Sequence, residues 1–126
     1  MRDLYSHITA LPALAPAVHT AAGKGLTIDT LGAGRLAFVV NTGAIAGAGD
    51  FGVTLEESDT GTNAWTAVAA DQIDTTAPAT LVADSAYRLG YRGWKRYVRL
   101  ALTKAGGTSV AAGAVAVINP LSRPAA

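Results

Sequence analysis

From Gly25 onward the chain repeats one local pattern: a short run of alternating apolar and polar residues, then a cluster of Gly, Asn, Asp, Ser or Pro. A period of two sends successive side chains to opposite faces of a strand, whereas an amphipathic helix needs apolar residues three and four apart. Leu36, Phe38 and Val40 share one side of the run 35–41. Phe51, Val53 and Leu55 do the same, with Thr54 and Glu56 opposite. Val98, Leu100 and Leu102 oppose Tyr97, Arg99, Ala101 and Thr103. Shorter runs lie at 26–31, 65–69 and 87–89, and a last apolar run at 110–119 stops at Pro120. Gly32-Ala33-Gly34, the polar stretch 58–63 and Gly106-Gly107 supply turns, while 42–49 and 72–79 read as loops. Seven or eight short strands at roughly ten-residue spacing, with no helix of ordinary length, predict an all-β fold: an antiparallel β-sandwich or jelly-roll-like barrel.

The 126 residues suit one domain, 24–126, preceded by an extended N-terminal arm, 1–23. Leu4, Tyr5, Ile8, Leu11 and Leu14 make the arm apolar, and Pro12 and Pro16 bar a long helix. Those apolar residues must return to the domain or reach a partner. Half the residues are apolar but only 6% are aromatic, and alanine supplies much of the apolar count. Alanine removes little area from water, so such a chain gains by burying surface against neighbours. The run 110–119 is small or apolar on both sides, which predicts cover on both: the opposite sheet on one, the arm or another subunit on the other.

A net charge of +1 argues against a general nucleic-acid binder. The absence of cysteine suits folding in a reducing cytoplasm and leaves no Cys-based zinc site. Asp3 and the two prolines spoil the N-terminus as a signal peptide, and no run of eighteen apolar residues suggests a membrane span.

Motifs that could carry chemistry lack the context they need. Gly47-Ala48-Gly49-Asp50-Phe51-Gly52 has the glycine spacing of a dinucleotide loop, but Val53 to Glu56 alternates as a strand where a helix N-terminus must follow. Asp59-Thr60-Gly61 matches the aspartic-protease signature. Those enzymes place the aspartate after a buried apolar strand, whereas Glu56, Glu57 and Ser58 precede this one, so a polar turn is expected. His7 and His19 lie in the arm, a poor mount for a general base, and are too isolated to bind zinc. Asp71 and Asp74 could touch calcium but read as solvated loop residues. The expectation is no catalytic residue, no metal and no cofactor.

Residues 87–104 hold six of the ten cations, three of the four tyrosines and one of the two tryptophans. One reading has Arg88, Arg92, Lys95 and Arg96 on phosphates with Tyr91 and Trp94 stacked on bases. A second pairs the cations with carboxylates such as Glu56 and Glu57 in a cross-strand ladder. A third makes the segment a protein interface, since Arg, Trp and Tyr dominate binding hot spots. The ladder and the interface fit the near-neutral chain better and can both hold, for different residues.

The run from Asn41 to Phe51, the turn from Leu55 to Asp59, and Tyr87, Gly90-Tyr91 and Lys95-Arg96-Tyr97-Val98-Arg99 resemble small proteins encoded among tailed-bacteriophage head genes. The likeness covers about residues 35–118 and contains no active-site signature. It implies a virion component, foremost a decoration (cement) protein on the capsid surface. Such a protein is made in the bacterial host cytoplasm, is often a trimer, and has the major capsid protein as partner. A tail or baseplate module that binds a host receptor or glycan through Trp65 or Trp94 is the alternative. For the capsid role the expected contacts are Leu4, Tyr5, Ile8 and Leu11 in the arm and Arg92, Trp94, Lys95 and Arg96 in the loop, with neither nucleic acid nor membrane involved.

Overall fold

The computed structural model describes residues 7–31 and 33–120. Its strands are β1 (Thr9–His19), β2 (Gly23–Lys24), β3 (Ile28–Asp29), β4 (Ala33–Ala46), β5 (Asp50–Ser58), β6 (Thr66–Ala67), β7 (Ile73–Thr75), β8 (Ala86–Tyr91), β9 (Tyr97–Gly106) and β10 (Ser109–Pro120). Sheet I has the order β1-β10-β4-β8-β7; sheet II runs β2-β9-β5-β6, with β3 also on β9. Every pairing is antiparallel. The chain is thus a β-sandwich, as its alternation requires. The described residues form ten strands where seven or eight were expected; the additions are β1, in the expected arm, and β2 and β7, which are two and three residues long and carry no readable period.

The inward sets are those picked out by period two. Phe38 and Val40 of β4 face Leu55 of β5 and Val98 and Leu100 of β9, all fully buried. Phe51, Leu81, Leu102, Val110 and Ala112 form a second cluster towards the β4–β5 connection, where the chain crosses between the sheets. These side chains come from strands distant in sequence, so burying them ties both sheets into one cooperative core.

One segment departs from expectation. β4 continues through the supposed loop 42–49 to Ala46, because small residues there pair with β10: Asn41 with Gly113, Thr42 with Ala112, Ile45 with Val110 across a bulge. The chain then leaves sheet I through Gly47 and Ala48, whose φ values of +60° and +55° lie in the left-handed region, and enters sheet II as β5. A strand follows this glycine pattern, so no helix N-terminus is there to receive a pyrophosphate.

Within the expected arm, 1–23, the described residues take the first of the two expected courses and return to the domain. Thr9–His19 does not project. It is the edge strand of sheet I, paired with β10 from Thr9–Ile118 to His19–Val110. Pairing satisfies the backbone groups that face β10, and Ala13 and Leu14 are buried. Register shifts between Pro12 and Leu14 and between Leu14 and Ala17 accommodate the prolines, which fits them for an edge. The strand lies beside β10, sets Pro16 over Gly113, and leaves Val115 on the outward side of β10 exposed.

Candidate protein-contact surface

Sheet register brings the two segments singled out in the sequence to one end of the molecule. Thr9 pairs with Ile118, Ile118 with Leu36, and Leu36 with Tyr91, forming a single row across sheet I. The start of β1 and the loop 92–96 therefore leave the same end, three strand spacings or about 14 Å apart. Leu4 and Tyr5 lie outside the described residues. Ile8 is half-buried just before β1, and Leu11 is partly exposed on it.

The loop 92–96 is tethered on both sides. The Tyr91 hydroxyl donates to Glu57 Oε1 at 2.7 Å and accepts the Lys95 backbone N–H at 3.0 Å. Burial, and then the bond to the Glu57 carboxylate, push the Tyr91 phenol well above its ordinary pKa, so it stays a donor. Arg92 pairs with Asp74 of β7 at 3.1 Å and donates to the Asp71 carbonyl at 2.8 Å. Lys95 pairs with Asp59 in the turn after β5 at 2.8 Å. Arg96 makes two bonds to Asp29 of β3, at 3.0 and 2.9 Å, and its carbonyl accepts the N–H and hydroxyl of Thr30. Arg96, then the Leu31 N–H, hold the Asp29 carboxyl below its ordinary pKa. The hydrogen bond from Lys95 to Asp59 raises the lysine's own pKa.

Each pair is exposed to solvent and contributes little alone. Together they reach both sheets and fix the loop's path. The ladder reading is correct in kind, but the loop cations take aspartates from three other elements in place of Glu56 and Glu57. Glu57 serves Tyr91, and Glu56 holds Lys24 and Arg99 on sheet II, each at 2.8 Å.

Trp94 stands at the tip of this tethered loop with 81% of its surface exposed, and Leu31 on the adjoining turn is 74% exposed. Beneath Trp94 lies an open recess of about 240 Å³ bounded by Thr30, Arg35, Tyr91 and Lys95. Trp65 is different: the Arg99 guanidinium lies 4.1 Å from its ring centroid, so one face of the indole is already occupied.

Asp59, His19 and Asp74, considered above for chemistry, have other partners. Asp59 is solvated and paired with Lys95, in a turn organised by the buried Ser58 hydroxyl, which accepts the Thr60 and Gly61 amides and donates to the Asn63 carbonyl. That setting does not bring two carboxylates together in a shielded cleft. His19 Nε2 lies 3.2 Å from the Ala112 carbonyl, and Asp74 is held by Arg92. Among the described residues no three His, Cys, Asp or Glu side chains form a cation-binding group. Asp29, Thr30 and Leu31, which shape the surface, were missed, and Asp74 was weighed only for calcium, because only long-range pairing brings them to the loop.

No protein-family model matches the chain, and neither does any curated protein. Among solved structures it is similar to a chain in the structure of infectious bursal disease virus, Gx strain, with a TM-score of 0.50 and 12% identity over 91% of its own length. The match spans 32%, about a third, of that chain, and at this identity the likeness is one of fold.

Proposed function

We propose that this protein is a non-enzymatic structural component of a virus particle, which decorates a phage capsid and stabilises it by bridging neighbouring major capsid protein subunits. The observation that carries the reading is the tethered loop 92–96 with its bare indole. A rigid tryptophan presented to solvent costs little entropy to dock, and buried tryptophans are leading hot-spot residues, worth roughly 2 kcal/mol or more each. The fold shared with a chain of a virus structure supports it, as does the resemblance to phage head-gene products.

The mechanism is mass action. A subunit that binds the assembled shell and not its loose subunits lowers the shell's free energy at every site it fills. Bridging adds avidity, because the second contact forms intramolecularly once the first is made. A trimer closed head-to-tail around a local three-fold axis would present three Trp94 tips at once. The test compares occupancy of wild type and Trp94→Ala on purified particles. A drop of at least tenfold in affinity, with unchanged melting of the free protein, is expected; equal occupancy would remove Trp94 from the contact.

The recess beneath Trp94 favours one second reading, a tail or baseplate module that stacks a host glycan on the indole and reaches its hydroxyls from Arg35. Binding on a glycan array that Trp94→Ala abolishes would select it.

A further inference from the structure

The two outer faces of the sandwich are built differently. On sheet II the outward side carries Glu56, Lys24, Arg99 and Trp65 in one paired network. On sheet I, register sets the outward residues in rows: Ala10, Val117, Ala37 and Gly90; then Pro12, Val115, Val39 and Arg88; then Gly113, Asn41 and Ala86. A trough of about 690 Å³ runs along this side between β1, β10 and β4. Pro16 lies over Gly113, where an added Cβ would sit 3.0 Å from the proline Cα. Val115 is 41% exposed although it is central.

Charge on this face is one-sided. Arg88 on β8 and Arg35 at the start of β4 have no carboxylate partner among the described residues, unlike Arg92, Arg96 and Arg99. The only outward acid on its strands, Asp74, is taken by Arg92. Asp84 stands in the turn before β8, at the far end from Arg35. Arg35 also borders the recess under Trp94, so face and loop form one continuous surface.

We propose that the outward face of sheet I is the docking surface for a partner with an apolar centre and carboxylates at its rim, placed to meet Arg35 and Arg88. Resting on the virion reading, this assigns the side turned to the capsid. A second copy of the chain fits poorly. A two-fold stack of this face would bring unpaired arginines together without acids to meet them, and like charges across an interface oppose association. The uncharged area is also small. Seven residues of β10 by four strands give a footprint of roughly 400 Å², about half the area each partner buries in a standard stable complex. A contact of that size holds when repeated over a lattice or joined to the Trp94 corner.

The test uses particles of the virus that carries this gene, stripped of the chain and rebound with purified protein. Val115→Asp should lower apparent affinity roughly a hundredfold and Arg88→Glu about tenfold, both surface changes with unaltered melting. Thr103→Asp, on the outward side of sheet II, should rebind normally. Normal rebinding of Val115→Asp and Arg88→Glu overturns the docking face while the virion role stands. Wild type that neither occurs on particles nor rebinds overturns the virion role itself. A dimer in light scattering that Val115→Asp dissolves would make a second copy the occupant and refute the acidic partner.

Discussion

Replacing Tyr91 with Phe removes one oxygen and leaves the ring in place, which isolates the node joining the loop 92–96 to the sandwich. That oxygen donates to Glu57 at 2.7 Å and accepts the Lys95 amide at 3.0 Å. A bond to a charged partner contributes ~1.5–3 kcal/mol when well buried; Tyr91 and Glu57 are half-buried and water can replace part of it. The expected loss is about 1.5 kcal/mol, or roughly 6 °C in Tm for a domain of this size. The phenol's pKa is raised in the folded protein, so its contribution is complete below the unfolded value near 10 and is lost as pH rises beyond it. Circular-dichroism melts from pH 7 to 11 should show the gap between wild type and Tyr91→Phe closing above about pH 10. A variant that melts within about 1 °C of wild type at pH 7, or a gap that widens in alkali, would refute Tyr91 as the tether.

Two further outcomes follow from the packing and the sheet II network. For Glu56, burial alone would raise the carboxyl's pKa, but bonds from Lys24 and Arg99 outweigh it and the net is a lowered value. Its stabilisation is therefore present above the unfolded value near 4.5 and lost as pH falls below it, and urea titrations should find Glu56→Gln about 1 kcal/mol less stable at pH 7 with the difference shrinking in acid. Phe38→Ala, at the centre of the main core, should cost ~3–5 kcal/mol in the same assay, and a loss below about 1 kcal/mol would mean the sheets do not close over it.

What the sequence disclosed depended on how local the signal was. Inward sets such as Leu36-Phe38-Val40 and Val98-Leu100-Leu102 were readable because alternation is a property of neighbours. β1 was not, since Pro12 and Pro16 mask a strand that only the facing β10 makes possible. Nor was the extension of β4 through its small residues, whose pairing, and not their side chains, decides the conformation. The basic aromatic cluster announced a surface segment. Its partners Asp29, Asp59 and Asp74 sit on three elements whose approach is a tertiary fact. The open apolar side of β10 was foreshadowed by small residues on both sides of 110–119, where cover by the arm or another subunit was expected; the arm pairs edge to edge and reaches over β10 at Pro16.

The central claim is that this sandwich acts by covering another protein's surface, with sheet I and the Trp94 end inward. A reconstruction of the virus particle by electron cryomicroscopy tests it most directly. The account predicts density for two stacked five-stranded sheets on the shell, with the β1–β10–β4 side and the loop 92–96 against acidic residues of the capsid subunits. Particles whose shells lack that density, or a subunit seated by the Glu56–Arg99 side of sheet II, would contradict it.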